Sequence, residues 1–232
     1  MHARALHSLV VKKVVMALTG LVLIAFLVMH MFGNLKMFLG GEAYNHYAEW
    51  LQGALESGGI LEPLLPHGWF IWIFRAFLLV CLVLHIYCAA KVWAASLRGR
   101  GRKYVSVTRR EQTVSARFMR WGGITLGLLL ILHILMFTTK TVRTGFTASD
   151  EPYTMFVKAF GNWWVLAIYI VFMIVVCLHV RHGFWSAFTT LGGNVSPKAR
   201  AILNALAYFV AALIFVGFLL PPVAVFLNLG VN

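Results

Sequence analysis

NWWVLAIYIVFMIVVCLHVRHGFWSAFTTL, residues 162–191, runs for thirty positions with a single charged side chain, Arg181. About 20 predominantly apolar residues suffice for a helix to cross the hydrocarbon core of a bilayer, so the stretch reads as a membrane span. Inside it stand His179 and His182. An imidazole in hydrocarbon needs partners for its ring nitrogens, which makes both residues functional suspects.

The rest of the chain agrees with that reading. Of 232 residues, 61% are hydrophobic and only 12% charged, with a mean hydropathy of +0.83, whereas roughly a quarter of the residues in a soluble domain carry charge. Four further apolar runs are long enough to span, at Val14–Gly33, Trp69–Ala95, Phe118–Thr139 and Ala201–Asn228. The sequence therefore predicts one all-α membrane domain over residues 1–232, a bundle of five transmembrane helices. The first run is similar to a signal anchor, but it lacks a small-residue cleavage site and leads through His30 into a polar loop, so it counts as a span. With nearly all of the chain in spans and short loops, a large catalytic unit has to be a separate subunit. Cys81, Cys88 and Cys177 all fall within spans and read as small polarisable core residues rather than as a disulfide framework.

The net charge of +13 follows the loops. On the side of the N-terminus lie Arg4, Lys12, Lys13, Lys91, Arg98, Arg100, Arg102, Lys103, Arg109, Arg110, Arg117, Arg120, Arg181, Lys198 and Arg200, against the single acid Glu111. On the other side Lys36, Lys140, Arg143 and Lys158 face Glu42, Glu49, Glu56, Glu62, Asp150 and Glu151, while Arg75 lies inside the second span. Positive charge gathers on the cytoplasmic side of membrane proteins. The expectation is thus a multi-pass protein of a bacterial inner membrane with a cytoplasmic N-terminus and an external C-terminus. The basic face suits an acidic partner subunit or anionic membrane lipid, and no nucleic-acid partner is expected.

Between spans, GGEAYNHYAEWLQGALESGG reads as an amphipathic segment on the external surface, with Tyr44, Tyr47 and Trp50 at the interface. The external stretch from Lys140 to Gly161 reads as the other long connection. Ser196 is expected to cap the last span with Pro197 in its first turn, and Pro221 and Pro222 to break or end it.

Nine histidines are present. His2, His7, His46 and His67 fall in the tail and the external loop, where solvated or interfacial roles suffice. His30, His85, His133 and the His179/His182 doublet sit in the first four spans. At 1.5 Å per residue, His30 and His133 lie roughly 6 and 9 Å below the outer ends of their helices, and His85 and His179 roughly 25 Å below theirs. The two tiers are roughly 15 to 19 Å apart. Two pairs at two depths on four helices are what a bundle needs to hold two b-type haems by axial ligation, since two imidazoles saturate haem iron and leave an electron carrier. Gly20, Gly33, Ala89, Ala90, Gly122, Gly123, Gly127 and Gly183 offer room for a flat macrocycle, though small residues equally serve helix contacts in membranes. Any one of these histidines taken alone fits a bond to a neighbouring helix equally well. Depth matching and the His-x-x-x-Gly spacing to Gly183 favour His179 over His182 as the ligand. Arg75 reads either as a haem-propionate partner or as a residue reaching for the interface. Lys91, Arg117, Arg120 and Arg181 stand near the inner propionates or simply anchor the cytoplasmic side.

At these residues the chain resembles the cytochrome b subunits of succinate dehydrogenases and fumarate reductases, the single-chain dihaem membrane anchors. The matching elements are MALTGLVLIAFLVMHMFGN, with Thr19-Gly20 before His30, LVLHIYCAAK around His85, RWGGITLGLLLILH ending at His133, and HVRHGFWSAFTTLGGNVSP from His179. The resemblance implies an inner haem on His85 and His179 and an outer haem on His30 and His133. It implies a flavoprotein partner with covalent FAD that oxidises succinate, an iron-sulfur partner that feeds electrons to this chain, and a quinone, often menaquinone, as acceptor. His182 is then a neighbour of a propionate or of a quinone. Some family members carry a glutamate where Cys177 stands, so a proton route through that position is not expected; Glu49 and Glu56 are candidates for the carboxylate near an external quinone site. Two other readings compete: a cytochrome b subunit of a nitrate reductase or hydrogenase type, and a histidine-relay proton transporter. The second is disfavoured because the spans hold no carboxylate.

Overall fold

The computed structural model describes residues 8–54, 60–61, 64–66, 68–98 and 114–230, with side chains described from 118 onward in the third span. His2, His7, His67, Glu56, Glu62 and the basic stretch 99–113 lie outside the described residues, as does the side chain of Arg117. The described residues form seven α-helices and no strand: α1 (Leu9–Leu35), α2 (Gly41–Gln52), α3 (Trp69–Arg98), α4 (Val114–Phe137), α5 (Pro152–Phe160), α6 (Trp163–Thr190) and α7 (Pro197–Phe226). A short 3-10 turn, Lys36–Leu39, joins α1 to α2. Five of these are long and apolar enough to cross a membrane, namely α1, α3, α4, α6 and α7. Their outward faces carry large apolar side chains such as Trp72, Phe77, Val83, Leu128 and Ile131, as lipid-facing helices must.

Helix ends follow local chemistry. The Ser8 hydroxyl accepts from the Val11 N–H at 3.1 Å, starting α1 five residues before the apolar run at Val14. Ser196 accepts from the Ala199 N–H at 3.1 Å, with Pro197 in the first turn of α7 as expected from sequence. Gly53 closes α2 in the left-handed region at φ 67°, where a side chain is costly.

Two sequence expectations need correction. Pro221 and Pro222 neither break nor end α7, which continues to Phe226. Both are buried in the last turns, and Ala224 and Val225 beyond them pack with Phe156, Phe160 and Tyr169. Tertiary packing holds the helix past the lost N–H donors, a tolerance that neighbouring elements commonly give membrane helices. The Lys140–Gly161 connection is also not a plain loop, because it contains α5. Asn162 fastens its far end by donating to the carbonyls of Thr144 at 3.1 Å and Lys158 at 2.9 Å, and Gly145 passes beneath at φ 88°. Asp150 accepts from the Thr147 N–H at 2.8 Å and pairs with Lys158 at 2.9 Å.

In the bundle, α1, α6 and α7 pack on one another around Met173, Val176, Val180, Ala211 and Ile214, with Ile24 and Leu27 against them. Helix α3 packs along α1 and α4 packs along α6, with no comparable packing between α3 and α4. At one end α2 and α5 lie across the bundle, tied by Asn45, which donates to Glu151 at 2.5 Å and accepts from the Tyr153 N–H at 2.9 Å. In α2, burial pushes the Tyr44 hydroxyl up to about 12, with Tyr47 adding to the effect.

Gly217 of α7 lies directly against Met31 of α1, which is 1% exposed, so a Cβ there would overlap its sulfur and Cγ. Gly217→Ala is expected to destabilise the bundle by about 1–3 kcal/mol, the usual cost of overpacking; an unchanged thermal transition in detergent would refute this contact. The Asp150 carboxyl is held below the usual carboxylate range, first by the Thr147 N–H and then by Lys158. A group so lowered stabilises above its ordinary pKa and loses that effect as pH falls through the lowered value. Amide exchange at Thr147, corrected for the intrinsic rate, is therefore expected to accelerate in that acid window and to lose this step in Asp150→Asn; protection that is flat with pH in the unsubstituted chain would contradict it.

Candidate functional site

Four helices each bring one histidine inward. His30 of α1 and His133 of α4 have ring centroids 5.9 Å apart, and His85 of α3 and His179 of α6 have centroids 6.3 Å apart. His30 and His133 lie five and four residues from the α2–α5 ends of their helices, whereas His85 and His179 each lie sixteen residues from theirs. At 1.5 Å per residue the first pair is roughly 6–8 Å and the second roughly 24 Å below that end. The two facing pairs expected from depth are thus the pairs that the fold brings together.

Hydrogen bonding settles which ring nitrogen is committed. The Nδ1 of His85 is 3.1 Å from the Met16 carbonyl oxygen and 3.4 Å from the Thr19 hydroxyl. A carbonyl only accepts, so Nδ1 carries the proton and Nε2 keeps a free lone pair. The Thr19 hydroxyl donates to the Val15 carbonyl at 2.7 Å, and a Cβ on Gly20 would stand 3.1 Å from the His85 ring. This is why Thr-Gly stands at 19–20: the pair forms the bed for an imidazole of the neighbouring helix. In the other pair, Nδ1 of His133 lies 3.2 Å from the hydroxyl of Tyr169, which itself donates to the Met136 sulfur at 3.9 Å. The Nδ1 of His179 is buried with no hydrogen-bond partner among the described residues, a condition that costs about 1–3 kcal/mol for a polar group left unmatched.

These residues fit axial ligation. Two imidazoles bonded to one metal at about 2.0 Å from opposite sides have centroids roughly 6 Å apart, as both pairs do. No group of three or more His, Cys, Asp or Glu side chains converges among the described residues, and a haem needs only two protein ligands. Backbone without side chains opens beside the rings: a Cβ on Gly123 would stand 3.7 Å from the His179 ring, while a Cβ on Gly127 or Gly183 would meet nothing within 4 Å. A small cavity of about 30 Å³ lies against His179 between Phe118, Gly122 and Val175.

The charged candidates are placed differently. Arg75 is exposed, its guanidinium 5.0 Å from the Trp72 ring on its own helix, and Lys91 lies 5.4 Å from the Tyr87 ring. Arg181 is 8% exposed and turns to α7, donating to Asn204 at 2.6 Å and lying 4.4 Å from the Tyr208 ring. His182 pairs with Trp185, centroids 6.4 Å apart. Cys177 donates to the Ala211 carbonyl at 3.3 Å. Glu49 lines an open cleft of about 520 Å³ between α2 and α5, with Glu42, His46 and Glu151.

Sequence reasoning missed the partners of the histidines and of Arg181. Asn204 and Tyr208 share a helical face four residues apart, and a polar pair at that spacing within a span was a readable sign of a polar neighbour. Tyr169 carried no such signal, because its link to His133 exists only once α4 and α6 pack. Asn204→Ala removes a charge-assisted hydrogen bond from a buried guanidinium and is expected to cost about 1–3 kcal/mol of bundle stability; stability equal to that of the unsubstituted chain would show the bond to be dispensable. No family model, no characterised protein and no solved structure matches the chain.

Proposed function

We propose that the chain is a dihaem cytochrome b that carries electrons within a membrane, as the anchor subunit of a succinate:quinone oxidoreductase. The observation that carries this reading is the two facing imidazole pairs, at 5.9 and 6.3 Å, set at two levels on four membrane-spanning helices. Haem b held by two imidazoles supplies a one-electron couple with no open coordination position. His30 with His133, and His85 with His179, are the ligands. The Met16 carbonyl orients His85 by accepting a hydrogen bond from its Nδ1–H, which leaves the other nitrogen to a metal. The surrounding apolar helices exclude water from both pairs.

The partners rest on the sequence resemblance and on charge. Lys91, Arg98, Arg120, Lys198 and Arg200 cluster at the end away from α2 and α5, which is the cytoplasmic end if positive residues stay inside. An iron-sulfur subunit docked there, itself served by an FAD-bearing flavoprotein, would lie nearer the haem that His85 and His179 would hold, so that haem would be the first to take its electrons. Quinone, menaquinone by resemblance, is the acceptor, and the membrane is a bacterial inner membrane with the C-terminus outside. Arg181 does not serve a propionate on this reading; it locks α6 to α7 beside the ligand His179. The proton-relay alternative is weaker, since each pair is closed off by its own helices and the spans hold no carboxylate.

Reduced-minus-oxidised absorbance of the purified chain tests the proposal. A b-type α band with two haems per chain is expected, and its absence overturns the reading. His179→Ala is expected to lose one haem while His182→Ala keeps both; the reverse result would move the ligand to His182. Succinate-dependent reduction of these haems in native membranes tests the partners, and a failure there with haem present would point to another quinone-linked enzyme.

A further inference from the structure

The two pairs differ in what lies behind the imidazoles. Behind His85 is a backbone carbonyl, fixed by the helix that carries it. Behind His133 is a side chain, the phenol of Tyr169 on α6, at 3.2 Å. Tyr169 is 9% exposed and wedged among Phe160, with centroids 4.9 Å apart, Phe172 at 5.9 Å and Phe137 at 6.0 Å. Such packing leaves its hydroxyl one place to point. The Met136 sulfur at 3.9 Å is within reach of the phenol's own O–H, so its oxygen can accept from His133 when that imidazole carries its proton on Nδ1. A neutral imidazole carries one N–H, and with Nε2 given to a metal it would sit on Nδ1, facing the Tyr169 oxygen.

We propose that Tyr169 is the positioning residue of the His30–His133 pair: by accepting the Nδ1 proton of His133 it fixes the ligating tautomer and sets the donor strength of that imidazole toward haem iron. The inference rests on the dihaem reading and adds a residue to it. A ligating imidazole whose second nitrogen donates a hydrogen bond is the more basic ligand, and a more basic ligand favours oxidised iron. Tyr169 therefore holds the potential of this haem down. The effect is confined to one pair, because the structure gives no contact between Tyr169 and His85 or His179.

Tyr169→Phe keeps the ring and its packing and removes only the acceptor. In redox titrations of the purified chain followed by haem absorbance, one midpoint is expected to rise while the other stays in place, with two haems retained. Two unmoved midpoints in Tyr169→Phe would overturn the assignment, and so would equal shifts of both. A ring-fluorinated tyrosine at position 169 covers the case in which the Phe variant does not assemble. It keeps the hydroxyl but makes its oxygen a poorer acceptor, so a smaller rise of the same midpoint is expected and none would overturn the role. Absence of haem from the unsubstituted chain is a separate outcome that removes the dihaem reading itself.

Discussion

Hydrocarbon offers no water to an imidazole, so a histidine inside a membrane span must have each ring nitrogen met by protein or by a metal. Much of the local design around the four inward histidines follows from this constraint. His85 reaches the main chain of the neighbouring helix because Gly20 has no side chain to hold it off, and the Met16 carbonyl accepts from it. His133 reaches a phenol instead, and that phenol is packed among three phenylalanine rings. In His85 Nδ1 is committed to protein and Nε2 retains its lone pair, which is the protonation state that a metal requires of an imidazole ligand.

The same constraint separates the charged side chains. Arg181 sits only two residues from His179, yet it is occupied by Asn204 and Tyr208 of α7. A guanidinium removed from water is tolerated where hydrogen bonds and an aromatic face replace its hydration. Arg75 and Lys91, with aromatic neighbours one turn away on their own helices, are exposed and lie along the lipid-facing surface. Helix spacing does not distinguish these situations, since all three positions fall within apolar runs of similar length.

The five spans were legible in the sequence because the length of an apolar run is set by the bilayer, and the depth of a histidine along a straight helix follows from the rise per residue. Both are one-dimensional quantities. The pairing of His30 with His133 and of His85 with His179 followed from depth for that reason. What the sequence hid depends on packing between distant segments. The helix α5 is short and amphipathic and is stabilised by α2 and α7; the double proline of α7 persists because Ala224 and Val225 beyond it are buried with Phe156 and Phe160. Tyr169 looked like one more apolar ring in a span. Thr19-Gly20 was visible as a motif, but its object, a histidine sixty-six residues away, was not.

The pairing of imidazoles runs across the packing of helices. Helix α3 packs on α1 and α4 on α6, yet the facing rings join α3 to α6 and α1 to α4. Each helix pair therefore gives one histidine to each level. A metal bound between the rings at either level would join helices that have no comparable packing on each other, α3 to α6 and α1 to α4, beside the α1–α6 contact that already holds the two helix pairs together. Because α3 with α6, and α1 with α4, have little packing on one another, such bridges would add cohesion at places where the apolar surfaces supply little. Metal binding of that kind is coupled to folding, and whatever binds the native bundle alone stabilises it by mass action. The crossed arrangement thus gives a physical reason for four separate helices to carry one histidine each: two ligands on packed neighbours would only hold a metal, whereas a metal bound in this placement would be part of what holds the bundle.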